Sequence, residues 1–230
     1  KGLRVQFERL ISEPGKLIKG PILQGVPPFE TGVTIEDLID EGVLSPLFGK
    51  IPDKELPPNR PLYWHQEQGV RKAISHNRNL VIATGTGSGK TECFIVPILN
   101  ALMREFELGT LNPGVRALLL YPMNALANDQ MERLRRLLVD LPQITFGRYT
   151  GETKEEYKEA RDFYITMYKK EPLPNEKICR VDMRQEPPHI LLTNYAMLEY
   201  LLLRPEDSPF FEGLYADSWR FIVLDEAHTY

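Results

Sequence analysis

Ala83-Thr84-Gly85-Thr86-Gly87-Ser88-Gly89-Lys90-Thr91 lies between an apolar run, Asn79-Leu80-Val81-Ile82-Ala83, and a second one, Cys93-Phe94-Ile95-Val96. Strand, glycine-rich turn and new helix in that order make a cradle for phosphate oxygens. Glycines tolerate positive φ and carry no Cβ to block approach, so several backbone N–H groups can converge on one anion. The helix N-terminus adds partial positive charge and Lys90 adds a full one. The Thr91 hydroxyl is placed to ligate a Mg²⁺ ion bridging the terminal phosphates. Gly85, Thr86, Gly87, Ser88, Gly89, Lys90 and Thr91 are therefore the expected nucleotide-binding residues. The general pattern has glycine five residues before Gly89, where this chain has Thr84; the part that wraps the β-phosphate, Gly87 to Thr91, is intact. Pro97 is expected to kink the following helix or to mark where its first turns end.

Phe221-Ile222-Val223-Leu224-Asp225-Glu226-Ala227-His228 answers that loop from the far end of the chain. Four apolar residues ending in two carboxylates describe a buried parallel strand that delivers acids to the crevice where open α/β sheets bind ligands. Asp225 is expected to hold Mg²⁺, and Glu226 to orient and deprotonate an attacking water. Alone, an Asp-Glu pair after a strand reads as an ordinary helix cap. The lysine-bearing loop upstream changes that reading to binding and hydrolysis of a nucleoside triphosphate, with Lys90 and Glu226 as the catalytic pair.

A net charge of −4 and a pI near 5.7 argue against a protein that coats nucleic acid by charge alone. A local basic groove stays open, and Arg133, Arg135, Arg136 and Arg148 form one basic stretch, which at helical spacing reads as a solvated face. No apolar run approaches a membrane span, and Lys1 to Glu8 form no signal peptide. Cys93 and Cys179 are far apart and the four histidines form no ligand cluster, so a reducing cytoplasm is the simplest setting.

Residues 1–60 read as an N-terminal accessory segment, broken by prolines at 14, 21, 27, 28, 46, 52, 57 and 58. Within it, Thr34 and Asp37 predict a capping box for a short helix stopped by Gly42. From residue 61 apolar strands alternate with amphipathic helices, which predicts an α/β fold: a mostly parallel sheet covered on both faces. Strands are predicted at Leu80–Ala83, Ala117–Tyr121, Ile190–Thr193 and Phe221–Leu224, with a further one at Thr145–Tyr149. Helices are predicted at Ala125–Leu138 and Ala196–Leu203. Residues 152–188 look like an insertion, a solvated excursion with a surface helix opened by a Thr153–Glu156 capping box.

Segments between the two motifs resemble the first motor domain of superfamily 2 helicases and translocases. Leu62-Tyr63-Trp64-His65-Gln66-Glu67-Gln68 resembles their Q-motif region, which implies that Gln66 reads the adenine edge, as an amide can; Tyr63 or Trp64 would stack on the base. Leu118 to Gln130, with Pro122, Met123 and Asn124 at the turn, resembles motif Ia, where N–H groups at a helix start meet strand phosphates. Tyr149-Thr150-Gly151-Glu152-Thr153 and Leu191-Leu192-Thr193-Asn194-Tyr195 resemble the next two nucleic-acid-contacting loops. The resemblance thus implies contacts through Pro122, Asn124, Thr150, Gly151, Thr193 and Asn194. Asp225-Glu226-Ala227-His228 is of the DEAH type, with His228 coupling motifs.

The wording of these motifs is similar to that of large bacterial helicases with a C-terminal domain of unknown function, the MrfA-like DNA repair helicases and helicases of phage defence. This implies a RecA-like P-loop NTPase domain at 61–230, ATP and Mg²⁺ as cofactors, and DNA rather than RNA as partner. The Ser-Ala-Thr-like coupling motif and second motor domain of the family are not among these residues. The expectation is a part of a longer polypeptide, slow in hydrolysis by itself, whose further partners are its remaining motor domain and proteins of defence or repair. Two other readings fit the ATP motifs: a P-loop ATPase that remodels protein, and an ATP-binding scaffold.

Overall fold

The computed structural model describes residues 2–13, 28–85 and 87–229; of the residues expected at the nucleotide, Thr86 lies outside them. In chain order the elements are α1 (Gly2–Ser12), β1 (Thr31–Thr34), α2 (Ile35–Asp40), β2 (Pro61–Tyr63), α3 (Trp64–Ser75) and α4 (Glu92–Glu107). There follow β3 (Ala117–Tyr121), α5 (Asn124–Leu137), β4 (Phe146–Arg148), α6 (Tyr157–Tyr168), β5 (Glu176–Lys177), α7 (Arg180–Gln185), β6 (Ile190–Asn194), α8 (Tyr195–Leu203) and β7 (Phe221–Leu224).

Five strands form one parallel sheet in the order β5-β4-β6-β3-β7. β3 and the first three residues of β6, Ile190 to Leu192, are apolar and buried because helices cover both faces. Alternate residues go to opposite sides: Ala117, Leu119 and Tyr121 join one buried cluster with α4 and α5, whereas Leu118 and Leu120 join another with Met197, Leu201 and Phe210. α4 continues through Pro97 to Glu107.

The strand predicted at Leu80–Ala83 is not formed. A strand needs a neighbour to satisfy its N–H and C=O groups, and residues 79–85 pair with none among the described residues; Val81 is 95% exposed. Among the described residues β7 pairs only with β3, and its Ile222 and Leu224 are 67% and 52% exposed on the face away from α4.

Residues 31–60 pack onto this unit. β1 pairs antiparallel with β2, and the Thr34–Asp37 capping box forms as predicted, with Gly42 at φ +72° ending the turn after α2. Leu38, Leu44, Phe48 and Ile51 share the buried cluster of α4. Arg104 of α4 donates to the carbonyls of Gly42 and Leu44 at 3.0 and 3.1 Å, and Asn100 Oδ1 accepts from Ser45 N–H at 2.8 Å.

Residues 152–188 are built into the sheet, since β5 pairs with β4 and the buried Arg135 of α5 holds Glu176 of β5 at 2.7 Å. The Thr153 capping box does not form: the Thr153 hydroxyl is taken up by the turn after β4, accepting from Thr150 N–H at 2.9 Å and donating to Arg148 O at 2.8 Å. The arginine stretch is not a free solvated face either. Arg133 pairs with Glu92, Arg136 with Glu55, and Arg148 with Glu152.

Candidate functional site

The phosphate loop takes its shape from glycine conformations and from α3. Gly87 and Gly89 stand at φ +74° and +73°, where side chains are strained, and a Cβ on Gly89 would fall 2.3 Å from Gln66 Nε2. Ser88 is fully buried, its hydroxyl 2.6 Å from that of Thr84. Lys90 Nζ donates to Thr84 O at 3.1 Å, so the ammonium already lies within the loop. Thr91 precedes α4 without giving a side-chain cap, which leaves its hydroxyl for another partner.

Two residues of α3 clamp the loop from behind. Gln66 is fully buried; its Oε1 accepts from Tyr63 N–H at 2.8 Å and its Nε2 donates to Gly89 O at 2.8 Å. Its amide is therefore engaged with the protein and does not face a base in this structure. His65 Nε2 lies 3.0 Å from Ser88 O. The rings of Tyr63, His65 and Phe29 pack together at centroid distances of 5.1–5.8 Å, while Trp64 is 52% exposed. Neither the His65 contact nor the Phe29 packing has a sequence signature.

Asp225 and Glu226 leave the C-terminal end of β7. Asp225 N–H donates to Leu120 O at 3.1 Å, continuing the β3 ladder, and Asp225 Oδ1 accepts from Glu226 N–H at 3.0 Å. Glu226 has φ +51° and its carboxylate is 3.4 Å from His228 Nδ1. No hydrogen bond or ion pair among the described residues joins these acids to the phosphate loop.

Because the strands are parallel, the turns after β3, β4 and β6 open on the same edge as Asp225. β3 stops at Tyr121, before Pro122, which has no N–H to continue the ladder. α5 starts without a side-chain cap, and the N–H groups of a first helical turn have no partner within the helix. Asn194 caps α8 by accepting from Met197 N–H at 2.7 Å, and its Nδ2 donates to Asn124 Oδ1 at 2.9 Å. Asn124 in turn reaches Glu152 Oε1 at 3.3 Å. Asn124, Gly151 and Asn194 thus stand together at the rim, with Gly151 exposed.

Thr150 and Thr193 are fully buried instead. The Thr193 hydroxyl donates to Tyr149 O at 2.7 Å, so it holds the β4 turn rather than facing outward. That turn is braced by α7: Arg180 Nη2 donates to Thr150 O at 3.1 Å, and Arg184 reaches Tyr149 Oη at 3.0 Å and Asp207 Oδ1 at 2.8 Å. Burial and the Asp207 carboxylate push the Tyr149 hydroxyl well above its usual range, so it stays protonated.

Residues 63–230 match the DEAD/DEAH box helicase family. Among curated proteins, Druantia protein DruE of Escherichia coli is 28% identical, covering 100% of this chain and 17% of its own length. The ATP-dependent helicase Lhr-Core of Methanothermobacter thermautotrophicus is 31% identical over 68% of this chain and 16% of its own. Among solved structures, the DUF1998 helicase MrfA bound to DNA and AMPPNP superposes with a TM-score of 0.60 at 23% identity, over 88% of this chain and 23% of that one. The chain spans about a sixth of the length of these curated relatives.

Proposed function

The chain belongs to the DEAD/DEAH box helicase family, and from that membership we propose that it is the ATP-binding part of an ATP-dependent DNA helicase or translocase. The observation that carries this reading is the common sheet edge. Asp225 and Glu226 leave it beside the turns that contain Asn124, Gly151 and Asn194, so one sheet edge offers both a pair of acids and a polar rim.

Lys90 moves from Thr84 O to the β- and γ-phosphates when a triphosphate enters, with the N–H groups of Gly87 to Thr91 around it. The Thr91 hydroxyl and the Asp225 carboxylate are hard oxygen donors of the kind that Mg²⁺ prefers. When bound, the ion supplies neutralising charge to the triphosphate oxygens. Glu226 accepts the proton of the attacking water. Gln66 passes base recognition to the loop by exchanging its bond to Gly89 O for one to adenine, and an exposed aromatic such as Trp64 gives the base a stacking face. His228, already beside Glu226, couples this centre to the nucleic-acid side.

The strand is held through N–H groups at the start of α5, with Pro122, and through Asn124, Gly151 and Asn194, while Thr150 and Thr193 keep their turns in shape. Contacts of this kind go to phosphate and carry no base sequence. MrfA was solved on DNA, which supports DNA over RNA, and the MrfA-like resemblance supports phage defence or DNA repair in the cytoplasm as the setting. ATP hydrolysis by the complete protein, with and without single-stranded DNA, tests the reading. Stimulation by DNA that weakens with salt is expected; a rate indifferent to DNA would favour an ATPase that remodels protein.

A further inference from the structure

Glu92, the residue after Thr91, opens α4 and is 8% exposed. Its Oε1 accepts from Arg133 Nη2 of α5 at 2.9 Å. Its Oε2 is buried with no hydrogen-bond partner among the described residues and lies 3.1 Å from the position that a Cβ on Gly89 would take. A negative charge packed against the backbone of a phosphate cradle opposes anion binding unless it is neutralised. Holding the nucleotide alone therefore gives no reason for an acid here. The cation that compensates it comes from a different element.

α5 also carries the rim. Its first residue, Asn124, is bonded to Asn194 and Glu152, and Asn128 contacts Arg148. Arg133 follows Asn124 by nine residues, about two and a half turns at 3.6 residues per turn, which puts it on the opposite side of the helix. One stiff helix thus touches the loops of the nucleic-acid rim with one side and the charge beside Gly89 with the other.

We propose that the Arg133–Glu92 ion pair is a positioning contact through which α5 reports strand binding to the phosphate loop. A small shift of α5 at the rim changes how fully Arg133 neutralises Glu92, and with it how well the loop holds a triphosphate. The inference rests on the motor reading above.

The test uses the complete protein, with oligo-dT as the strand and ATP hydrolysis as readout, in Arg133→Met, Arg133→Lys, Glu92→Gln and the Arg133→Met/Glu92→Gln double variant. Arg133→Met is expected to raise KM for ATP about tenfold and to abolish most of the DNA stimulation. Adding Glu92→Gln should return KM to within about twofold of the starting protein, because the orphaned charge is gone, without returning the stimulation. Arg133→Lys should keep both in part. A purely structural pair would move melting temperature and both parameters together. Should Arg133→Met fail to fold, Glu92→Gln alone carries the test, with lowered stimulation expected at unchanged KM. Stimulation that survives intact in the double variant, or in Glu92→Gln, overturns the proposal. A starting protein without any DNA stimulation would instead overturn the motor reading.

Discussion

Under the proposed function Lys90 serves binding and Glu226 hydrolysis, and their variants should separate the two. In the complete protein, Lys90→Ala is expected to remove measurable ATP binding by titration calorimetry. Glu226→Gln should bind ATP at least as well as the starting protein and turn over at least about a hundredfold more slowly, the usual scale for a lost general base. Unchanged turnover in either would take that residue out of the site. His189, at the opposite end of β6 from Asn194, makes a separate prediction about stability. Its Nδ1 accepts from Thr145 N–H at 2.9 Å and its Nε2 is 3.2 Å from Asn112 O, so the buried ring is neutral. Burial, with Arg116 nearby, lowers its pKa from 6.5 to about 4. Between those values the unfolded chain takes up a proton that the folded chain refuses, so stability falls as pH drops from 6.5 towards 4. The loss is bounded at roughly 3 kcal/mol. Urea unfolding at pH 7 and pH 4.5 should show a steeper loss for the native chain than for His189→Gln; equal losses would contradict the assignment.

At the scale of elements, Asn194 joins two jobs. It caps α8 and holds Asn124 at the start of α5. Asn194→Ala is expected to destabilise the fold by about 1 kcal/mol, the ordinary value of an N-cap, and to weaken binding of single-stranded DNA by the complete protein. Unfolding curves and fluorescence anisotropy measure the two, and unaltered DNA affinity would remove Asn194 from the rim. Local signals of this kind were legible in the sequence: the Thr34–Asp37 box, the apolar runs that became β3, β6 and β7, and the helix periodicity of α5 all describe interactions between near neighbours. The Leu80–Ala83 run was misread because a strand also depends on a neighbour that sequence pattern does not supply. Thr153 was misread for a related reason, since its hydroxyl had a competing partner in Thr150 N–H. Residue types at the rim could be named from motifs, but the burial of Thr150 and Thr193, the clamp by His65 and Gln66, and the Arg133–Glu92 pair are products of tertiary packing.

For the molecule as a whole, the sheet sets what can act together. Asp225 and Glu226 sit at the end of β7, which among the described residues is held along one edge only, with Ile222 and Leu224 exposed. Acids on a strand so lightly supported are poorly fixed for chemistry that depends on placement. These 230 residues alone should therefore hydrolyse ATP slowly and without response to DNA, and a phosphate-release assay giving the full DNA-stimulated rate of the complete protein would contradict this. The central claim is that the Lys90 loop and the β7 acids serve one nucleotide, although no hydrogen bond or ion pair among the described residues joins them. A structure of the complete protein with Mg²⁺ and a non-hydrolysable ATP analogue tests it most directly. The account expects Lys90 Nζ on the terminal phosphates and Asp225 and Glu226 across the same pocket; a nucleotide bound with those acids turned to a different face of the protein would contradict it.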